Sequence, residues 1–262
     1  MNKIIAILSV IACMTILVAG QLHWNNKTTV SVASEKVSNE ETTTTATEEI
    51  AEVSIENLLS YTSNWPTESV ETFEELISSG KPFHLAFLGS NTQGNSTEPW
   101  SELVKEALKE TYGEQIIVST FSYDLTSTQF VNEDKLSEII GVQPHMVIFE
   151  PFTLKDNGEV TTEDSLKNTA SVIEDLQESL PNTVVILQPS HPLYNVTYYP
   201  KEVEALADFA AENGIPYLSH WEAWPDPASE EMKEYITANP SEPTAQGHQL
   251  WAGYLIDYLI AE

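Results

Sequence analysis

Five short apolar runs, at 83–88, 115–121, 145–149, 183–188 and 215–218, recur along the chain, rich in Val, Ile and Phe and without a two-residue alternation. Runs of this kind suit strands covered on both faces, because a strand with one wet face alternates apolar with polar residues. Helical patterns separate them, at 100–112, 127–140, 165–180, 201–213 and from Gly247 to the end, with a shorter one from Ser69 to the stop at Gly80. Gly141, Pro181-Asn182 and Asn213-Gly214 end three of these helices. In the last helix Leu250, Trp251, Tyr254, Leu255, Tyr258 and Leu259 form a stripe that faces a core. Strands alternating with helices predict one doubly wound parallel sheet with helices on both faces, a three-layer flavodoxin-like α/β fold. Ligands in such folds bind beyond the carboxyl ends of the strands, so the segments after Leu88, Phe121, Phe149 and Gln188 are where chemistry is expected.

The alternation begins only after residue 65. Before it, Lys3 precedes an apolar run from Ile4 to Gly20, then Trp24 and Asn-Asn-Lys. That run is near the lower limit for crossing a bilayer, against the usual ~20 residues. A cleaved signal peptide and an uncleaved anchor both fit. The absence of a clean small-x-small cleavage pattern and the interfacial position of Trp24 favour an anchor over residues 1–26. Residues 27–65 are dominated by Thr, Ser, Glu and Val, with a Glu-Glu-Thr-Thr-Thr-Thr-Ala-Thr-Glu-Glu run. Composition of this type cannot bury much apolar surface, and it predicts a disordered stalk before a single domain over 66–262. The one cysteine, Cys13, lies inside the apolar run, so the part beyond it can form no disulfide of its own. The expected location is therefore the cell membrane, single-pass with the C-terminal domain extracytoplasmic, or secreted if the signal is cleaved.

Forty acidic and 11 basic residues give a net charge of −29, with the acids spread along the chain. No Lys or Arg cluster exists to neutralise a phosphate backbone, which excludes nucleic acid as a partner.

The first apolar run ends in Leu-Gly-Ser90-Asn-Thr92-Gln-Gly94. A serine placed directly after a buried strand, with glycines on either side, presents its hydroxyl at the carboxyl edge of the sheet. The spacing Ser-x-Thr-x-Gly resembles the first block of the SGNH/GDSL hydrolases, Gly-Asp-Ser-x-Thr-x-Gly, with Leu88 and Gly89 where that family has Gly and Asp. The resemblance implies an SGNH-type fold, acyl esters as substrates, and Ser90 as the nucleophile that forms an acyl-enzyme. It implies no metal and no organic cofactor.

The later blocks are kept unevenly. Tyr123-Asp-Leu-Thr-Ser127 stands where the family has its oxyanion glycine, and holds no glycine. At the family's Gly-x-Asn-Asp, an ungapped alignment puts Thr153 at the glycine, Lys155 at the oxyanion asparagine and Asp156 at the aspartate. Either Lys155 donates to the oxyanion, or the loop is offset and Asn157 does. The last block, Asp-x-x-His-Pro-Asn-x-x-Gly-His, keeps Gly247 and His248 but has Asn239 at the aspartate and Glu242 at the histidine. A serine hydroxyl needs a base at neutral pH. The candidates are Glu242, His191 and His220, which each follow an expected strand end, and His248.

Tyr194, Tyr198, Tyr199, Trp221 and Trp224 crowd the loops at that same edge, where they suit a sugar or acyl group. The sequence thus points to an extracytoplasmic serine ester hydrolase acting on a small acyl ester or an acylated glycan. The alternative is a catalytically degenerate module of the same fold that binds glycan or a cell-wall partner. A phosphate or nucleotide binder is a third class, and it lacks the glycine motif that would cradle phosphate.

Overall fold

The structure, a computed structural model, describes residues 55–93, 98–238 and 242–261. Its centre is a parallel sheet of β1 (Phe83–Ser90), β2 (Ile116–Tyr123), β3 (Met146–Phe149) and β4 (Val184–Leu187), in the order β2-β1-β3-β4. The helices are α1 (Thr67–Ser78), α2 (Trp100–Tyr112), α3 (Ser127–Asn132), α4 (Leu136–Gly141), α5 (Thr153–Asp156), α6 (Thr162–Ser179), α7 (Tyr199–Glu212) and α8 (Ala245–Leu259).

Two separate apolar cores explain why the strand runs carry no alternation. Phe83, Leu85, Phe87, Met146 and Ile148 point into one core with Trp100, Val104, Leu108, Trp251 and Leu255 of α2 and α8. Their neighbours Ala86, Leu88, Val147 and Phe149 point into the other, against Phe130, Ile139, Val172, Leu176 and Leu206 of α3, α4, α6 and α7. Successive residues of a strand face opposite ways, so both sets must be apolar when both faces are covered. Only β2, at the edge, has exposed and half-buried positions through most of its length.

Three expectations need correction. The run at 215–218 is not a strand but a single parallel bridge between Leu187 and Tyr217. Ile215 N–H is already given to Ala210 O at the end of α7, and Pro216 has no N–H, so a ladder beside β4 cannot lengthen. The helix expected over 127–140 is two helices, broken where Asp134 takes a left-handed φ of 52°. Residues 55–65, expected to be part of the stalk, belong to the folded domain. Residues 55–60 are helical, Ile55, Leu58, Leu59 and Tyr61 pack against the first core, and Trp65 is buried with its indole N–H on Leu259 O at 3.0 Å. Aromatic and aliphatic residues at the end of the Thr/Glu-rich stretch can bury surface that the stretch itself cannot.

The expected anchor, and the stalk up to residue 54, lie outside the described residues. Among the described residues no helix is long and apolar enough to cross a membrane.

Candidate active site

Ser90 is the last residue of β1 and is 1% exposed. Glu150 follows β3, and its N–H is donated to Leu88 O at 2.8 Å, which sets it directly beside the end of β1. The Glu150 carboxylate accepts from Ser90 N–H at 3.1 Å and lies 2.9 Å from Ser90 Oγ through each of its oxygens. Thr92 Oγ1 lies 2.7 Å from the same hydroxyl. A serine has one proton to give and a carboxylate can only accept. The consistent pattern has Thr92 donating to Ser90 Oγ and Ser90 donating to Glu150.

Glu150 is fully buried. Burial pushes its pKa up to about 7, against the opposing pull of hydrogen bonds from Ser190 and Ser90 and of the Lys155 charge. Its charge in turn adds to burial in raising the Tyr199 hydroxyl well above the usual range. Ser190, Gln188 and His191 come from the segment after β4 and are all fully buried. Ser190 Oγ lies 3.4 Å from His191 Nδ1. The edge of the sheet thus gathers Ser90, Glu150, Ser190 and Tyr199 from the ends of β1, β3 and β4 and the start of α7.

The other expected site residues have different work. Lys155, on α5, is paired with Asp124 just after β2, although its charge still reaches Glu150. Asn157 Nδ2 donates to Glu202 Oε2 at 2.7 Å on α7. Asp156 is buried and accepts Ser127 N–H at 2.8 Å, fixing the start of α3.

Glu242 is exposed, and its backbone is tied to Thr237. Its neighbour in the block, Asn239, lies outside the described residues. His220 has both ring nitrogens engaged, Nε2 with Pro189 O at 2.9 Å and Nδ1 accepting Trp224 Nε1–H at 3.0 Å. Its ring stacks on Trp251 at 4.2 Å, and burial lowers its pKa to about 3. His248 Nδ1 accepts Trp100 N–H at 3.2 Å, and burial lowers it to about 4. Both histidines are therefore neutral packing elements that join α8 to the active edge. Gly247 is required by close approach, since a Cβ there would collide with Tyr235 O and press on the Trp224 ring at 3.1 Å.

Sequence reasoning passed over Glu150 and Gln93. The signal for Glu150 is an acid set immediately after a wholly apolar strand, at the edge where such folds bind ligands. Gln93, in the 3-10 turn Asn91–Gln93, is fully buried over Gly89. A Cβ on Gly89 would overlap the Gln93 amide and meet Glu150 Cβ at 2.7 Å and Glu150 O at 2.8 Å. Gly89→Ala is therefore expected to destabilise the domain by about 1–3 kcal/mol, as overpacking of a filled site does. Chemical denaturation reads this directly, and an unchanged midpoint would show that the site has slack.

Among the described residues no group of three His, Cys, Asp or Glu side chains is placed to hold a metal ion. A cavity of about 760 Å³ opens at the amino end of β4, lined by Glu68, Glu71, Glu174, Val184 and Pro216, at the opposite end of the sheet from Ser90.

No protein-family model matches the chain, and no curated protein matches it in sequence. Solved structures do match in fold. A catalytic mutant of an acetylxylan esterase from Geobacillus stearothermophilus aligns at 14% identity and TM-score 0.57, over 69% of this chain and 95% of its own. The lipase/acylhydrolase of Enterococcus faecalis aligns at 17% identity and TM-score 0.52, over 66% and 93%. A GDSL-like lipase of Bacteroides thetaiotaomicron aligns at 16% identity and TM-score 0.51, over 67% and 87%. With its parallel sheet, its Ser90-x-Thr92 turn at the end of β1 and these likenesses, the domain has the SGNH/GDSL hydrolase fold.

Proposed function

We propose that this chain is a membrane-tethered, extracytoplasmic carboxylic-ester hydrolase in which Ser90 is the nucleophile and Glu150 its general base. One observation carries the reading. Ser90 Oγ lies 2.9 Å from both oxygens of a buried carboxyl whose pKa burial raises to about 7. A carboxylate at its ordinary pKa is a weak base for a serine, and catalytic efficiency peaks when the base titrates near the working pH.

In this mechanism Ser90 Oγ bonds to the ester carbonyl carbon as its proton passes to Glu150. The carbonyl electron pair moves onto the oxygen. That transfer also neutralises the carboxyl beside Ser90 N–H, which frees the amide to face the new oxyanion. Glu150 then gives the proton to the departing alcohol, leaving an acyl-Ser90. A water attacks the acyl carbon with its proton going to Glu150, and Ser90 leaves and is reprotonated.

Acyl esters, and O-acyl glycans among them, are the substrates that fit best. An acetylxylan esterase is among the structurally similar proteins. At this edge Trp221 donates to Ser190 O at 2.6 Å and packs on Tyr199 at 5.6 Å, while Tyr198 stands 76% exposed. Flat rings with one polar end suit the face of a sugar. The targeting run before residue 27 supports the location, and the acidic surface keeps nucleic acid away.

A second reading, a non-catalytic module of this fold that binds an acylated glycan or a wall partner, is favoured by one detail. Glu150 Oε2 occupies Ser90 N–H, the amide an oxyanion would need. The two readings part on a fluorophosphonate, which reacts only with an activated and accessible serine. Mass spectrometry is expected to find a single adduct on Ser90, with p-nitrophenyl acetate hydrolysed above buffer until labelling is complete. No adduct, with acetylated oligosaccharide still bound, would establish the binding module instead.

A further inference from the structure

Gln93 ends the turn that follows Ser90, and Ser101 Oγ donates to its carbonyl at 2.5 Å, pinning the turn to α2. Its side chain is fully buried, and neither Oε1 nor Nε2 has a hydrogen-bond partner among the described residues. The amide fills the space over Gly89, against which Glu150 Cβ also packs. It therefore lies against the backbone that leads into Ser90, on the same side of Gly89 as the stem of Glu150. A buried polar group left unpaired costs about 1–3 kcal/mol, and such groups call for a reason.

Hydrolysis as read above leaves the oxyanion with one amide donor, Ser90 N–H. The residues aligned with the usual side-chain donor, Lys155 and Asn157, are engaged with Asp124 and Glu202. We propose that the Gln93 side-chain amide is the second oxyanion donor, its Nε2–H taking the acyl carbonyl oxygen as the Ser90 Oγ–carbon bond forms and the carbonyl electron pair moves onto that oxygen. No proton changes hands at Gln93. Nε2 is the end already set against Gly89, and because neither end of the amide is paired, giving its N–H to the oxyanion breaks no bond. The assignment rests on the reading of Ser90 as nucleophile.

Gln93→Met keeps the length and burial of the side chain and removes the donor. Loss of one oxyanion donor lowers kcat by about 10²–10³-fold. The expected result with p-nitrophenyl acetate is that loss in kcat, KM within about threefold of wild type, and a Tm no lower than wild type, since the residue removed is an unpaired polar group. Gln93→Ala, read with the same split of kcat and KM, serves if Gln93→Met does not fold. Ser90→Ala is measured beside them. If wild type outpaces Ser90→Ala while Gln93→Met keeps the wild-type kcat, the Gln93 assignment alone is overturned. If wild type is no faster than Ser90→Ala, the reading of Ser90 fails and the Gln93 assignment falls with it.

Discussion

Ser90→Ala is expected to lower kcat/KM for an activated ester by more than about 10³-fold, and Glu150→Gln by about 10²–10⁴-fold. The two losses should not add, because nucleophile and base act as one unit and the double variant should match Ser90→Ala. The pH profile separates Glu150 from His220 and His248. If Glu150 is the base, kcat/KM for wild type climbs about tenfold per pH unit below a pKa of about 7 and levels above it. His220 and His248, lowered to about 3 and about 4, stay neutral across this range and cannot produce that inflection. Glu150→Gln should keep a residual rate with no inflection near 7. A wild-type profile with the same inflection persisting in Glu150→Gln would move the base to another residue.

The sequence carries the sheet well because both faces of β1, β3 and β4 are covered, which leaves unbroken apolar runs as a direct trace of burial. The run at 215–218 is just as apolar, yet Pro216 limits it to one bridge, and apolarity alone does not report a missing N–H. The proposed nucleophile stands out equally well, since Ser90-x-Thr92 is a local pattern and Thr92 does meet Ser90 through its hydroxyl. Its partner does not. Glu150 is 60 positions away and reaches Ser90 only because β1 and β3 pair with Leu88 opposite Phe149. The family pattern falls on Lys155 and Asn157 in the loop after β3, whereas the acid that meets Ser90 stands three residues upstream of Thr153. His220 shows the converse. Its position after an expected strand end suits a base, whereas its two nitrogens are spent on Pro189 and Trp224, a fact that only side-chain geometry supplies.

Glu150→Gln is expected to stabilise the folded domain at alkaline pH, by about 3 kcal/mol at pH 9, and to leave it nearly unchanged at pH 4. An acid whose folded pKa lies above its unfolded value holds its proton longer in the folded state. Below the unfolded value of 4.5 it is protonated in both states and behaves much like a glutamine. As pH rises toward about 7 the unfolded chain ionises first, so folding must keep a proton that the unfolded chain has lost, and stability falls. Above about 7 the carboxylate is ionised while fully buried, and the penalty is complete. From 4.5 to about 7, at about 1.36 kcal/mol per pH unit, the cost comes to just over about 3 kcal/mol, or roughly 6–12 °C in Tm for a domain of this size. Glutamine carries no charge at any pH and escapes the cost. Other titrating groups are shared by both proteins and cancel in the difference. The measurement is urea unfolding of wild type and Glu150→Gln at pH 4, 6, 8 and 9. A gap that opens with pH while activity disappears identifies Glu150 as a group held at the expense of stability for chemistry, as active-site residues commonly are. A constant gap, or one that closes with rising pH, would mean that the carboxylate is already satisfied when ionised and is no base for Ser90.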